Sequence, residues 1–584
     1  MSLDSVSYKA YESVKGAWQF PRFSLHLDHV QSDPYAPPSK FRIRVAESSH
    51  GFPRDLHQPQ SDSNRIRAVA LADYLHRHLH ALISNPRYQS KQSEQGYFGG
   101  KGGDLRIDKP CAQVLDRSAV VVTPDHSIEA RICIGLPAKG RSIQGDFARK
   151  ILTEHIPALV DQSLIGAAHD LQSIRAHVEC VEDQEALRDQ LHSVKSVAFV
   201  RDGAVLPRKS GVSSAPLTGP HVVPFQSPSS LRKTIKLPNR TVTGMALPVN
   251  CLTVCIGAGF HGKSTLLDAL AIGCYNYVPG DGREFVCATP DVTSVQSEDG
   301  RVVHSVDVSN FIHDLPGNTS SHQFTTSDAS GATSCAASLQ EAFEVESSLV
   351  CIDEDTTASN WLASSPIMSK LLGKSTITPL EQRASQVKRQ GGTQGCSIFL
   401  VCGSSSDFLA QADIVLKSED FHVTDVTNEA HELLAQSSGT HGSKSAQPQQ
   451  QQPWQPVRHR EVQLSSLARS MDRKVSTRGR FAVVTGRDEG DEVHLHALPQ
   501  LVDESQTRAI VAALKTLAAD AAGSAHVRLC DVAKRLEELF DRQGVDAVQT
   551  RDSPDGFLAR PRAIDVVAAL NRMRAVTVRQ VGGS

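Results

Sequence analysis

The stretch VNCLTVCIGAGFHGKSTLLDALAIG, residues 249–273, decides the fold of the central part of this chain. Within it, residues 257–264 read GAGFHGKS, a complete G-x-x-x-x-G-K-[ST] motif. A β-favouring run, 252–256, precedes the motif, and a leucine- and alanine-rich helical pattern follows from Ser264. This order predicts a phosphate-binding loop that joins a strand to a helix N-terminus in an α/β fold. The alternative, a chance glycine turn, leaves both flanking patterns unexplained.

Each residue type in this loop has a physical role in holding phosphate. Glycines let backbone N–H groups turn inward around phosphate oxygens, and the helix N-terminus adds partial positive charge. We expect Lys263 to reach the β- and γ-phosphates and the Ser264 hydroxyl to bind Mg²⁺. His261 occupies an x position, where it either touches a phosphate or is unconstrained. The residues predicted to bind nucleotide are Gly257, Gly259, His261, Gly262, Lys263, Ser264 and Thr265.

A second segment, SSLVCIDEDTT (347–357), supplies carboxylates suited to such a loop. The apolar run 349–352 predicts a buried strand that ends at Asp353 and Glu354. Both side chains would then lie at the carboxyl edge of a parallel sheet, where open α/β folds bind ligands. We predict that Asp353 binds Mg²⁺ together with Ser264 and that Glu354 polarises the attacking water. The alternative is a strand end without function.

The segment ASGATSCAASLQEAFEVES (329–347) places a Ser-Gly turn before a helical pattern and the carboxylate strand. This order resembles the signature motif, helix and Walker B strand of ABC-type ATPases. In that family the signature motif contacts the γ-phosphate bound to the opposite subunit, so the resemblance implies a homodimer closed through its nucleotide sites. Taken alone, the turn is equally an ordinary helix N-cap. The residues assigned to the motif by resemblance are Ser330, Gly331, Ala332 and Thr333.

Several positions depart from the motifs of transporter ATPases. Ala329 replaces their leucine, no Gln ends the signature, Asp355 stands in place of Pro, and Gly403-Ser404 occupies the place of the switch histidine. The chain resembles instead the stand-alone, predicted "ATPase of the ABC class" family, which lacks membrane-spanning partners. The segments that carry this resemblance are LDHVQSDPYAPPSKFR (27–42), GAGFHGKSTLL (257–267), SEDGR (297–301), SGATS (330–334), IDEDTTASN (352–360), TPLEQR (378–383) and LARPRAIDVVAALNRMR (558–574).

This resemblance implies a fold, cofactors and partners. The fold is α/β, with a P-loop ABC-type ATPase core, an N-terminal α/β domain and a small C-terminal α/β domain. The cofactors are ATP or ADP and Mg²⁺; ATP over GTP rests on the resemblance and on the lack of a convincing NKxD motif. Members in kinetoplastid-like lineages are associated with mitochondrial RNA processing, which implies RNA and the proteins of an RNA-processing assembly as partners.

Length and composition limit the classes of protein. At 584 residues the chain is long enough for about three domains. Lys and Arg (61) nearly balance Asp and Glu (64), so no global field draws the protein onto nucleic acid. No run approaches the length of a membrane span, and the start lacks the apolar core of a secretion signal. The 12 cysteines form no CxxC pair, which indicates reduced thiols. We therefore expect an intracellular protein of the mitochondrial matrix or cytoplasm.

Composition shifts along the chain predict its organisation. Residues 436–456 are rich in Gln, Pro, Ser and Gly and are predicted to be a disordered linker. The predicted domains are an N-terminal α/β domain (1–160), the ATPase core (161–435) and a C-terminal α/β domain (457–584). In the first domain, the patterns at 41–45, 120–122 and 128–136 predict strands, and the pattern at 67–83 predicts a helix.

Three weaker features each have a functional interpretation and a purely structural one. A basic cluster would track a nucleic-acid backbone or form a solvated face; it comprises Arg469, Arg473, Lys474, Arg478 and Arg480. A second glycine-rich anion loop, or a hairpin turn, comprises Gly100, Lys101 and Gly102. Arg301 and Arg383 would either supply positive charge to phosphate or lie in solvent.

Two functions remain open from the sequence. The first is an Mg²⁺-dependent ATPase, with slow turnover allowed, that dimerises through its nucleotide sites and acts on or with RNA. The second is a nucleotide-gated scaffold with negligible turnover that organises protein partners, and the missing switch histidine motivates it.

Overall fold

The chain forms two compact units, Met1–Asp183 with Phe540–Arg560 and Gln184–Leu539 with Pro561–Ser584. The computed structural model describes residues 7–58, 65–88, 102–211, 213–315, 317, 319–364, 371, 375–390, 395–403, 406–440 (backbone only at 437–440), 453–472, 475–484, 492–519, 526–549 and 553–581.

The first unit is built on an antiparallel sheet in the order β1-β2-β3-β7-β4, with β6 also paired to β7. Its strands are β1 (Gly16–Gln19), β2 (Ser24–His29), β3 (Ser39–Val45), β4 (Leu105–Arg106), β5 (Gln113–Val114), β6 (Val120–Val122), β7 (Ile128–Ile134), β8 (Ala138–Lys139) and β9 (Ser142–Ile143). Its helices are α1 (Glu47–His50), α2 (Ile66–Ile83), α3 (Gly145–Lys150), α4 (Ile156–Ser163) and α5 (Leu171–Gln190). The predictions of β3, β6, β7 and α2 are confirmed.

Strand β7 is buried along its whole length although it carries charged residues. Arg131 donates to Glu129 at 2.9 Å and, with two N–H groups, to Asp546 at 2.6 Å. Ser118 and Leu558 add three hydrogen bonds between the same two regions of the chain. These contacts hold residues 540–560 in the first unit, because a buried guanidinium requires a carboxylate partner.

The second unit contains the central parallel sheet, in the order β18-β21-β22-β15-β23-β24, of which only β24 is antiparallel to its neighbour. The strands up to β24 are β10 (Ser196–Arg201), β11 (Arg208–Ser210), β12 (Ser213–Pro216), β13 (Arg232–Lys236), β14 (Thr241–Pro248), β15 (Leu252–Ile256), β16 (Asn276–Tyr277), β17 (Val286–Ala288), β18 (Thr293–Val295), β19 (Arg301–Val306), β20 (Phe324–Ala329), β21 (Leu349–Asp353), β22 (Ser397–Cys402), β23 (Ile414–Glu419) and β24 (His422–Asp425). An antiparallel sheet in the order β13-β14-β10-β17 accompanies it.

Helices pack on both faces of the central sheet, so its inner strands β15, β21 and β22 are mainly apolar. Helices of this unit are α6 (Lys263–Ala271), α7 (Gly331–Glu344), α8 (Ser359–Leu362), α9 (Leu380–Val387), α10 (Thr427–Thr440), α11 (Leu464–Met471), α12 (Glu504–Ala519), α13 (Leu529–Gln543) and α14 (Ala563–Asn571). Alternate residues of a strand serve different layers: Val350 lies in the cluster that contains Leu339 of α7, whereas Cys351 lies in the cluster that contains Leu266 of α6.

The C-terminal part of this unit adds two small antiparallel sheets, β29-β25-β30 and β26-β27-β28. Their strands are β25 (Arg460–Gln463), β26 (Ser476–Arg478), β27 (Ala482–Val484), β28 (Glu492–His494), β29 (His526–Arg528) and β30 (Val578–Gln580). Arg460, at the start of β25, is almost fully buried and pairs with Glu344 at the end of α7, with Nη2 2.7 Å from the carboxylate. This ion pair fixes the C-terminal sheet to the helix that follows the Ser-Gly turn.

The ends of the predicted linker 436–456 are ordered, contrary to expectation. Helix α10 continues to Thr440, and the ring of Trp454 packs edge-on against Phe311 at 5.9 Å. The contact of this aromatic ring with a core cluster offsets the chain entropy lost when the segment becomes ordered. Composition alone does not reveal such a contact. Residues 441–452 lie outside the described part of the chain. The three-domain division stays a prediction, because a compact unit and an independently folding domain are different properties.

Two expectations from composition can be compared with the structure. All twelve cysteines are described, and all are free thiols. Among the described residues, the structure contains no helix both long enough and apolar enough to cross a bilayer.

Candidate functional site

The phosphate loop lies between β15 and α6, as predicted, and two of its glycines are required by geometry. Gly257 has φ +149°, and an added Cβ would lie 2.2 Å from the carbonyl oxygen of Ser418. Gly262 has φ +93°, and an added Cβ would lie 2.7 Å from Cδ1 of Phe421. Side chains at either position would collide with the β23–β24 hairpin and open the loop. Gly259, by contrast, would meet nothing within 4 Å.

The side chains that follow the glycines are arranged for an anion. Lys263 is buried, and its Nζ donates to the carbonyl of Ala258 at 2.8 Å, which holds the ammonium within the loop. Ser264 is exposed and Thr265 half-buried in the first turn of α6, where backbone N–H groups are unpaired by the helix itself. Buried positive charge, an available hydroxyl and a helix N-terminus fit a phosphate chain with its metal ion.

Phe260 is the outlier of the loop. It has φ +66°, a left-handed conformation that is rare for a bulky residue, and its side chain is fully exposed. The exposed side chain makes no packing contact that would offset the strain. The backbone of the loop therefore imposes the left-handed conformation of Phe260.

His261 contacts the β23–β24 hairpin. Its Nδ1 accepts the backbone N–H of Asp420 at 2.7 Å, and its carbonyl oxygen accepts the Ser418 hydroxyl at 2.5 Å. With Nδ1 an acceptor, the neutral ring carries its proton on Nε2. These contacts fix the loop to the hairpin; a contact of His261 with phosphate stays a prediction.

The two carboxylates lie at the carboxyl end of β21, two strands from β15 and so about 10 Å away across the sheet. Asp353 is buried and accepts the backbone N–H of Asp355 at 3.1 Å. Glu354 is half-buried, and its Oε2 accepts the backbone N–H of Gly403 at 2.6 Å. Gly403 follows β22, the strand between β21 and β15. A backbone donor thus holds the predicted catalytic carboxylate on the side of the strand that carries the phosphate loop.

The surroundings of the site contain buried thiols that respond to these charges. Burial raises the pKa of Cys255 to about 12, with Lys263 lowering and Asp353 raising it. Burial raises the pKa of Cys402 to about 12 as well, and Glu354 adds to the rise. Both thiols therefore remain protonated and take no part as nucleophiles at neutral pH. The two environments also show that the cation and the carboxylates act on the same stretch of sheet.

Sequence reasoning missed two residues of this edge. Gln296 directly follows β18, and because Val295 pairs with Ile352, Gln296 stands level with Asp353. A glutamine amide at this position suits a metal-bound water or a phosphate. Gly403 is the other, and its role lies in the backbone N–H. A three-residue strand before Gln296 gives almost no periodicity, so the sequence pattern offered no signal for this position.

The Ser-Gly turn caps α7 as expected. Ser330 is exposed, and its hydroxyl accepts the Thr333 N–H at 3.5 Å, a long contact for an N-cap. Gly331 leaves no room for a side chain, since an added Cβ would lie 2.3 Å from the Ser297 hydroxyl. Within the described chain, no hydrogen bond or ion pair joins this turn to the phosphate loop. The roles of Ser330, Gly331, Ala332 and Thr333 toward a γ-phosphate stay predictions.

Neither arginine considered as a phosphate contact is available for that role. Arg301 is buried and pairs with Glu341 and Glu298. Arg383 is buried, and its Nε donates to the carbonyl of Asn310 at 3.0 Å. Both predictions are wrong because each guanidinium is used to satisfy buried acceptors, which sequence spacing does not reveal.

The remaining candidates are only partly described. Arg469 is exposed in α11, Arg478 is exposed and lies 3.4 Å from Glu492, and Arg480 stacks over the ring of Phe481. Arg473 and Lys474 lie outside the described residues. Gly100 and Lys101 of the glycine-rich loop also lie outside them, and Gly102 is half-buried in the first unit.

Three family models match successive parts of the chain. Residues 170–454 match the ABC_ATPase P-loop domain, residues 1–167 match the N-terminal domain of ATPases of the ABC class, and residues 474–579 match the MRB1590 C-terminal domain. Together the three matches span almost all of the sequence, and the first contains the phosphate loop, both carboxylates and the Ser-Gly turn.

Individual relatives are more distant. The chain is 28% identical over 246 residues to "Uncharacterized protein MJ1628" of Methanocaldococcus jannaschii, a match that covers 41% of this chain and 53% of that protein. The chain thus spans about half the length of this curated relative. Among solved structures it is similar to MJ1267, an ATP-binding cassette of an ABC transporter, in its ADP conformation (9% identity, 41% of this chain, 95% of that chain, TM-score 0.25). It is also similar to cbiO1 from Clostridium perfringens, part of the ABC transporter complex cbiONQ (11% identity, 42% of this chain, 96% of that chain, TM-score 0.26).

Proposed function

This chain belongs to the family of ATPases of the ABC class, and from that premise we propose that it hydrolyses Mg²⁺-ATP as a homodimer that acts on or with RNA. The family resemblance and the P-loop ABC-type fold class predicted from the sequence are confirmed. The observation that carries the proposal is the Glu354 carboxylate, held by the N–H of Gly403 at the sheet edge that bears the phosphate loop.

The chain's own residues divide the work of binding. Backbone N–H groups of residues 259–265 and the ammonium of Lys263 bind the phosphates. Ser264 and Asp353 would hold Mg²⁺, whose contribution when bound is to neutralise phosphate charge. Lys263 exchanges its bond to the Ala258 carbonyl for one to phosphate, so little new ordering is needed on binding.

In the hydrolytic step Glu354 positions and polarises one water. The water oxygen forms a bond to the γ-phosphorus as the bond from that phosphorus to the β–γ bridging oxygen breaks, giving ADP and phosphate. Glu354 accepts a proton of the water, or orients the water while phosphate takes the proton. The Gly403 bond restrains the position of the carboxylate.

A second subunit would complete the site. Ser330 is exposed at the start of a 14-residue helix and has no contact with the loop of its own chain among the described residues. Its hydroxyl and the first N–H groups of α7 therefore remain for the γ-phosphate of a partner. ATP binding would then favour the dimer, and hydrolysis would release it.

Exposed arginines in the C-terminal part of the chain are the proposed contacts with RNA. Arg469 and Arg478 are exposed, and Arg480 is exposed beside an aromatic ring, which suits a backbone contact with stacking. The mitochondrial matrix or the cytoplasm would be its place of action, with proteins of an RNA-processing assembly as further partners.

A nucleotide-gated scaffold with negligible turnover is the second candidate. Gly403 favours it, because a backbone N–H cannot donate and accept protons as a switch histidine does. Such a scaffold would close on ATP and organise protein partners without consuming it.

Multiple-turnover ATP hydrolysis tests the proposal. Wild-type protein is compared with Lys263→Ala and Glu354→Gln, with and without a mixed single-stranded RNA pool. We expect Lys263→Ala to lose binding, and Glu354→Gln to bind ATP and dimerise without hydrolysis. Hydrolysis unchanged in Glu354→Gln would remove Glu354 from catalysis. Tight binding without turnover in the wild type, with or without RNA, would support the scaffold instead.

A further inference from the structure

Two arginines that directly follow α14 donate hydrogen bonds to the turn that precedes β19. This turn, residues 297–301, will be called the bridging turn; it follows Gln296 and precedes β19. Arg572 donates to both carboxylate oxygens of Glu298, at 2.6 and 2.9 Å. Arg574 donates to the carbonyl of Gly300 at 3.0 Å and to that of Ser327 at 2.5 Å. The C-terminal segment is thus hydrogen-bonded to the bridging turn and to β20, the strand that precedes Ser330.

The bridging turn contacts both the start of α7 and the segment that follows Glu354. The Glu298 N–H donates to the Ser334 hydroxyl at 2.9 Å, and that hydroxyl donates to the Gly331 carbonyl at 2.8 Å. The Ser297 N–H donates to the carbonyl of Thr356, two residues after Glu354, at 2.9 Å. A displacement of the turn would therefore move the start of α7 and the segment after the catalytic carboxylate together.

The charges of this contact are largely removed from water. Arg572 is buried, and Nη1 of Arg301 lies 3.6 Å from the Glu298 carboxylate. Burial would raise the pKa of Glu298, but Arg572 and Arg301 outweigh it and lower the pKa. The carboxylate stays ionised at neutral pH, so the bidentate pair persists, and its planar geometry fixes the direction of approach.

We propose that Arg572 and Arg574 are positioning residues. They hold the bridging turn so that the Ser-Gly turn and Glu354 reach the geometry required for hydrolysis together. The inference rests on the proposed function. It makes the C-terminal segment a required part of the ATPase site through its contacts with the bridging turn. Anything that shifts the end of α14 would change turnover while leaving the phosphate loop intact.

The test compares Arg574→Met with Arg579→Met. Arg574 is exposed, so its loss removes two hydrogen bonds to carbonyl groups with little cost to folding. Arg579 is a matched control, because it lies on β30, is also exposed and pairs with Glu461, away from the bridging turn. Arg574→Lys, which retains one donor, is the conservative variant. Arg572→Met is measured as a second variant, with thermal unfolding as the check on folding.

We expect Arg574→Met to lower kcat about tenfold, since two hydrogen bonds contribute about that factor, with the affinity for ADP within about twofold of wild type. ATP-dependent dimerisation should weaken in parallel, and Arg574→Lys should recover part of both. Equal kcat in Arg574→Met and Arg579→Met, with wild-type turnover normal, would overturn the inference alone. Absence of both turnover and ATP-dependent dimerisation in the wild type would overturn the proposed function and the inference with it.

Discussion

The hydrogen bond from Gly403 to Glu354 gives the sharpest prediction, because proline removes that donor and alanine keeps it. Gly403 follows β22, so the preceding residue, Cys402, already has the extended backbone that proline requires of its neighbour. An added Cβ would lie 3.9 Å from Oε2 of Glu354, an ordinary contact. Gly403→Ala therefore tests size and chain stiffness, and Gly403→Pro tests the N–H.

The magnitude follows from the nature of the bond. A hydrogen bond to a charged group contributes about 1.5–3 kcal/mol, and each 1.4 kcal/mol corresponds to tenfold in rate. If the bond holds Glu354 in its reactive position, Gly403→Pro should lower kcat about 10- to 100-fold relative to Gly403→Ala. ATP binding should be retained in both, because neither change touches the phosphate loop.

The assay is steady-state ATP hydrolysis with nucleotide binding measured separately by fluorescence of a labelled ATP. Thermal unfolding of both variants serves as the control for folding. A kcat of Gly403→Pro within twofold of Gly403→Ala, at equal stability, would show that the Gly403 N–H does not position the carboxylate.

Three further predictions concern strain, space and protonation. Phe260→Gly should raise the free energy of unfolding by about 0.5 kcal/mol, because relief of the left-handed conformation (about 1–2 kcal/mol) exceeds the cost of the extra chain entropy of glycine. Urea titration measures this against Phe260→Ala, which keeps the strain. Equal free energies of unfolding for the two variants would contradict the prediction. Gly257→Ala should abolish ATP binding, since its Cβ would lie 2.2 Å from the Ser418 carbonyl oxygen; equilibrium binding at wild-type affinity would contradict this. Burial lowers the pKa of His57 to about 4, whereas the unfolded chain takes up that proton near pH 6.5, so stability present above pH 6.5 is lost as the pH falls toward 4. His57→Leu should therefore reduce the loss in urea midpoint between pH 7 and pH 5, and an unchanged loss would assign it to other groups.

The elements that carry the site follow from short-range pattern. The runs at β15 and β21 are apolar because both faces of the sheet are covered, and each ends in residues that cannot continue a buried strand. The helix start after Gly262 follows from the motif, and the Ser330 cap follows from the preference of serine for that position.

What sequence could not supply depends on long-range contacts. Arg301 and Arg383 look like solvated arginines in sequence, yet each satisfies buried acceptors that other segments provide. Trp454 lies in a segment of disordered composition and still finds an aromatic partner. Gln296 and Gly403 lie beside Asp353 and Glu354 because of the register of neighbouring strands. Register leaves no local pattern in the sequence.

The position of residues 540–560 in the first unit also sets the order in which the chain can fold during synthesis. Arg131 and Asp546 are separated by 415 residues. At the usual 5–20 residues per second, the arginine leaves the ribosome roughly 20 to 80 s before its second carboxylate exists. During that interval β7 has only Glu129 to neutralise a guanidinium destined for the interior. The N-terminal unit is therefore the first to be made and among the last to be finished, which exposes its unfinished sheet to chaperones and to neighbouring chains for most of translation.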